Sequence, residues 1–127
     1  IGVCRRGTVR DVIRLVSLLK RKPGTTHEEF LAYWRNNHGP LIANSSAAKY
    51  VVRYEQHPSV WPEEGSSMPE PEYDGVTIQW FRSADDYWAH MREPDFGAMW
   101  EDIEKFLDTS HINWVITEEP TVVIGDD

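Results

Sequence analysis

The stretch that decides the fold is residues 22–42, KPGTTHEEFLAYWRNNHGPLI. It opens on a turn pair, Pro23-Gly24, and Thr26 follows as a helix N-cap with Glu29 three residues on. In such a capping box the hydroxyl and the carboxylate each satisfy a backbone N–H that the first helical turn leaves over. Phe30, Tyr33, Trp34, Asn37 and His38 then share one helical face, at i, i+3, i+4, i+7 and i+8. Gly39-Pro40 reads as the stop, because Pro cannot continue a helix and Gly tolerates left-handed backbone. The pattern predicts an aromatic helix face that delivers one imidazole, His38, at its C-terminal end. There the negative end of the helix dipole is expected to raise the pKa of His38.

Working outward, residues 12–19 (VIRLVSLL) are apolar on both alternating faces except for Arg14 and Ser17, as in a central strand covered on both sides. Residues 1–11 are Gly- and Arg-rich without periodicity and read as a tail. Residues 47–57 (AAKYVVRYEQH) read as the second strand, with Tyr50, Val52, Tyr54 and Gln56 on one side and Lys49, Val51, Arg53 and Glu55 on the other. Residues 58–72 carry four of the eight prolines and several acids, so they read as a long acidic loop. Loops of this length are commonly lids, partner-binding segments or insertions. Trp61 in that loop is expected to cover a pocket, to meet a partner subunit or simply to tack the loop down.

Residues 74–81 (DGVTIQWF) form a third strand, with Val76, Ile78 and Trp80 opposite Thr77, Gln79 and Phe81. Ser83 caps a helix carrying Tyr87, Trp88 and Met91, which stops before Pro94. Residues 95–107 put Phe96, Met99, Trp100, Ile103, Phe106 and Leu107 on one face, the mark of an amphipathic helix on a sheet. Residues 112–117 (INWVIT) give a fourth strand, and residues 122–124 a possible edge strand or arm. The order βαββαβ is the split, ferredoxin-like arrangement of an α+β fold: a four-stranded antiparallel sheet with helices on one face. The other face then needs cover, which a domain this small obtains most simply by dimerising sheet to sheet.

The length of 127 residues fits one domain, over residues 12–127, with a proper core. The formal net charge of −8 disfavours nucleic acid and anionic membrane surfaces as partners. The run Lys20-Arg21-Lys22 reads as solvated turn charge. Cys4 is the only cysteine, which excludes an intrachain disulfide and agrees with a reducing cytoplasm, the compartment expected. No apolar run approaches the length that spans a bilayer. The first residue is Ile rather than Met, so an upstream stretch, a removed leader included, stays an open expectation.

The pattern LLKRKPGTTHEEFLAYWRNNHGPL (residues 18–41) resembles the signature of the EthD family, a branch of the dimeric α+β barrel superfamily. A strand ending in a basic turn is followed there by a helix with F-x-x-x-W that closes on His-x-Pro-Leu. A second block, YDGVTIQWFRSADDYWAH (residues 73–90), is similar to the family's Asp-Gly, strand, helix unit. The resemblance implies a homodimeric barrel over residues 12–127, with residues 58–72 as an insertion. It also implies a small cofactor-free enzyme, because relatives include polyketide cyclases, decarboxylases, lactone isomerases and cofactor-independent monooxygenases. One fold hosts all of these chemistries, so the site must decide between them.

No Walker loop, G-x-G-x-x-G after a strand, H-E-x-x-H or C-x-x-C is present, so nucleotide, flavin and structural zinc are not supported and no cofactor is expected. The five histidines contain no close pair at metal-ligand spacing, so no metal is expected either. What remains is acid–base chemistry. His38 is the expected general acid/base, Asp74 the carboxylate that orients it or shares its proton, and Tyr50 or Tyr54 the hydrogen-bond donor to a developing enolate or phenolate. Tyr33, Trp34, Tyr54, His57, Trp80 and Trp88 are the expected substrate-binding residues, whose flat walls suit a planar aromatic or polyketide-like ligand. His27, in the first helical turn, reads as solvated, and His90 and His111 as structural. Plainer alternatives stay open: His38 as a cap, Asp74 as a turn residue, the tyrosines and tryptophans as core. Three functions follow: a lyase or isomerase of the polyketide-modifying type, an oxygenase of hydroxyaromatics that needs no cofactor, and a non-catalytic small-molecule binder or accessory protein.

Overall fold

The computed structural model describes residues 12–125, so the tail expected over residues 1–11 lies outside the described part. β1 (Ile13–Leu19) leads through the turn at Gly24, φ 88°, into α1 (His27–Tyr33). The capping box forms as the sequence predicts. Thr26 Oγ1 accepts from the Glu29 N–H at 3.0 Å, and the Glu29 carboxylate accepts from the Thr26 N–H at 2.8 Å.

The helix does not stop at Gly39-Pro40. It widens into a π-helical turn (Trp34–His38) and runs on as α2 (Gly39–Ala43). Pro40 has no N–H to give the Asn36 carbonyl and crowds it, so the ladder loosens before the proline. The Gly39 N–H reaches back five residues to the Trp34 carbonyl. Pro40 itself sits in the first turn of α2, where its missing N–H costs nothing. Trp34 and His38 are the first and last residues of the π turn, and both are buried.

After a 3₁₀ turn (Ser46–Tyr50), β2 (Val51–Pro58) starts four residues later than predicted. A shift of register between Val51 and Arg53 leaves Val52 half exposed. β3 (Gly75–Phe81), α3 (Ala84–Met91), α4 (Phe96–Phe106), a second 3₁₀ turn (Thr109–His111) and β4 (Asn113–Thr117) complete the chain. The sheet runs β2-β3-β1-β4, antiparallel throughout, with β1 inside as predicted. This is the ferredoxin-like α+β fold. Val122, Val123 and Ile124 form no strand and are exposed.

Leu15, Ser17, Leu19, Thr77 and Gln79 point toward the helices. Val16, Leu18, Val76, Ile78 and Trp80 alternate onto the other face and are only half-buried in one protomer. The core joins Leu19, Phe30, Trp34, Phe106 and Leu107, with ring centroids of Phe30 4.8 Å from Trp34 and 5.8 Å from Phe106. Burying each such side chain stabilises the fold by about 2–3 kcal/mol. The edge of the Trp34 ring abuts the start of β3, where a Cβ at Gly75 would stand 2.6 Å from it. Gly75 is thus required for the close approach of Trp34.

Candidate active site

Three elements meet at His38. The π turn presents its ring, α4 brings Asp102 and the last turn of α1 brings Tyr33. His38 Nδ1 lies 2.8 Å from Asp102 Oδ2, and the Tyr33 hydroxyl donates to Asp102 Oδ1 at 2.5 Å. Both carboxylate oxygens are therefore engaged. With Asp102 as acceptor, His38 carries its proton on Nδ1, and no described residue pairs with Nε2. Burial lowers the pKa of His38, and the bond and charge of Asp102 oppose this without cancelling it. The helix dipole does not raise it as the sequence predicts, because the helix runs on past His38. Tyr33 is pushed up to about 12, chiefly by its hydrogen bond to Asp102. It therefore stays protonated and holds the carboxylate in place.

His38 lines a cavity of about 330 Å³ between sheet and helices. Its walls are mostly apolar: Leu15, Leu19 and Trp114 from the sheet, Met99, Trp100 and Ile103 from α4. The polar groups reaching it are few, and His38, Tyr54, Gln79 and His90 are the main ones. Among buried atoms, Trp34 Nε1 and Gln79 Oε1 have no hydrogen-bond partner. Burial also pushes the Tyr54 phenol up, while Gln56 and the Trp34 N–H pull it down. The Trp34 N–H acts by proximity, without the geometry of a hydrogen bond. Among the described residues no group of three His, Cys, Asp or Glu side chains converges to hold a metal ion.

Of the residues singled out by sequence, His38, Trp34 and Tyr54 reach this cavity. Tyr33 stands behind it, on Asp102. Tyr50 does not line it; its hydroxyl is 3.5 Å from Glu93. His57 is exposed and pairs with Glu55, Trp88 is exposed on α3, and Trp80 lies on the opposite sheet face between Arg14 and Arg53. The largest difference concerns Asp74. It is fully buried but does not meet His38. Asp74 accepts from the Arg21 N–H at 2.9 Å and the Arg21 guanidinium at 3.0 Å, and sits 2.8 Å from His27 Nδ1. Burial raises the pKa of Asp74, but these three partners together outweigh it and hold the carboxyl below its usual range. His27 and Arg21, both expected in solvent, are drawn in by that carboxylate. Trp61 stacks on the His27 ring at 3.7 Å, with the Arg21 guanidinium over the Trp61 ring at 5.3 Å, so the long loop is tacked down here and does not line the cavity.

Sequence reasoning missed Asp102 and His90. Asp102 had a signal: it falls among Met99, Ile103 and Phe106 on the apolar side of α4, where an unpaired acid is costly. His90 sits one turn after Tyr87 on the inner side of α3, which by itself does not separate core from cavity.

The family model of the EthD domain matches residues 22–110. Among curated proteins none matches this chain. Several solved structures share the fold. An EthD family protein from Bacillus halodurans has 20% identity and TM-score 0.66, over 86% of this chain and 99% of that one. A dimeric protein of unknown function with a ferredoxin-like fold, from Bacteroides fragilis, has 15% identity and TM-score 0.61, over 87% and 99%. SnoaB, a cofactor-independent oxygenase from Streptomyces nogalater, has 12% identity and TM-score 0.57, over 89% and 97%. At these identities the likeness speaks for the fold.

Proposed function

We infer that this chain, which belongs to the EthD family, is a small acid–base enzyme that needs no cofactor and acts on a planar aromatic or polyketide-like substrate. The observation that carries this reading is a His–Asp pair whose free imidazole nitrogen is left to a mostly apolar cavity. His38 Nε2 takes a proton from an acidic C–H or O–H of the substrate. Asp102, bonded to Nδ1, holds the tautomer and stabilises the imidazolium that forms, and Tyr33 fixes Asp102. The oxygen that gains charge is met by the Tyr54 hydroxyl, a donor that is already in place. Tyr54 thus takes the role expected for either Tyr50 or Tyr54, and Asp102 the role expected for Asp74.

A lyase, cyclase or isomerase uses this proton transfer directly. Oxygenation of a hydroxyaromatic begins with the same step, and an apolar cavity admits oxygen, so SnoaB-like chemistry is the second reading. Among the described residues no helix is long and apolar enough to cross a membrane. The cytoplasm is the compartment proposed here, on the single cysteine. The working unit is a homodimer of one domain over residues 12–127, closed through the sheet face that carries Val16, Ile78 and Trp80.

The test is turnover of a panel of hydroxyaromatic and polyketide-like substrates, with oxygen uptake followed in parallel. His38→Ala is expected to lower kcat/KM by about 10³-fold. Oxygen uptake on a hydroquinone selects the second reading. Unchanged turnover in a folded His38→Ala protein sinks both, and tight binding without any turnover assigns the chain to non-catalytic binding.

A further inference from the structure

His90 is buried in α3, and its ring meets Phe81 and Phe96 edge-on. Its Nδ1 lies 3.0 Å from the Ala47 carbonyl oxygen. A carbonyl can only accept, so Nδ1 carries a proton. In the neutral ring Nε2 is then a lone pair, and no described residue donates to it, although His90 lines the cavity. His38 Nε2 is a second acceptor on the same cavity. Among the described residues the cavity wall holds no Lys or Arg. An acceptor left unpaired in an apolar site is costly, so what fills the cavity is selected for donors in those places. A carboxylate brings only acceptors, which the Tyr54 hydroxyl can meet but the His38 and His90 lone pairs cannot, and a charge that no cation on the wall balances.

We propose that His90 is a substrate-binding residue that accepts a hydrogen bond from a neutral phenol or enol hydroxyl, and that the cavity selects hydroxyl-bearing ligands over carboxylates. This rests on the cavity being the binding site, as inferred above, but not on the identity of the reaction. It favours substrates that enter as neutral phenols or enols, and it argues against carboxylate substrates such as those of a decarboxylase.

Calorimetric titration with naphthalene, β-naphthol and β-naphthoate at neutral pH tests it, because the naphthol is then neutral and the naphthoate ionised. The expected result is naphthol binding about tenfold tighter than naphthoate, the scale of one hydrogen bond and one desolvated charge. His90→Asn places an amide N–H where Nδ1–H was, which keeps the Ala47 bond and removes the lone pair at Nε2. It is expected to weaken naphthol about fivefold and leave naphthalene unchanged. His90→Gln does the reverse, sacrificing the Ala47 bond while restoring an acceptor at the Nε2 position, and is expected to keep the naphthol preference. Naphthoate binding as tightly as naphthol, or His90→Asn weakening naphthalene and naphthol alike, overturns the assignment while leaving the cavity as the site. Failure of all three probes to bind the wild-type protein overturns the cavity reading and this proposal with it.

Discussion

Two buried histidine–aspartate pairs stand in this domain, with the same 2.8 Å contact from Nδ1 to a carboxylate oxygen. They differ in what surrounds them. Asp74 also takes the Arg21 N–H and guanidinium, and Trp61 closes over the His27 ring. That cluster is charge-balanced and shut, and it joins the β1 turn, α1, the long loop and the start of β3. Asp102 takes a neutral phenol, Tyr33, in place of a cation, and its histidine faces a cavity. A His–Asp pair alone does not make a site. The third partner and the surroundings of the far ring nitrogen decide whether the pair locks the fold or moves a proton.

The sharpest way to break this contrast is to remove each carboxylate. Asp74→Ala strands Arg21 and His27 inside the protein and is expected to cost about 3–5 kcal/mol of stability, read from urea unfolding. Asp102→Asn leaves a neutral acceptor beside His38 and is expected to lower kcat/KM about 10²-fold with a much smaller loss of stability. Equal stability losses from the two variants would erase the distinction. Trp61→Ala lifts the cover from His27 and is expected to cost about 1 kcal/mol, with kcat/KM unchanged because the loop does not reach the cavity.

The pH dependences should separate as well. Asp74 has a lower pKa folded than unfolded, so its contribution is present above the unfolded value and is lost as pH falls through the folded one. Urea unfolding at a series of pH values should show this loss in the strongly acidic range, and Asp74→Ala should remove it. His38 is also lowered on folding, so the unfolded chain binds more protons. Its share of stability is full above about pH 6.5 and falls away as pH drops below that. For the same reason kcat/KM should stay level down to below pH 6.5 before declining.

The smallest effect concerns the two sheet faces. Trp80→Glu adds charge to the face away from the cavity, and sedimentation should show a shift from dimer to monomer at micromolar concentration. A dimer unchanged by Trp80→Glu would place the contact elsewhere.

Much of this fold is written in local signals. The Thr26–Glu29 box, the apolar run of β1 and the alternation of β3 each settle their element, because capping, burial and side-chain period act within a few residues. Pro40 misleads for a local reason too: a proline that ends one helical ladder is welcome in the first turn of the next. The site is harder to read. His38 and Trp34 share a helix face and could be paired from spacing, but Asp102 lies 64 residues away and joins them only once α4 packs on α1. Asp74 was the more conspicuous acid because Gly75 follows it. Yet that glycine serves the Trp34 ring, and the carboxylate serves Arg21, a residue that looked like surface charge.

The mechanism requires His38 to be a neutral imidazole, protonated on Nδ1 and held there by Asp102. Histidine ring-nitrogen NMR titration of the wild-type protein, assigned with His38→Gln, measures this directly. The expected result is the Nδ1–H tautomer at neutral pH and a pKa below the ordinary value of about 6.5. A protonated Nε2, or a pKa at or above that value, would contradict it.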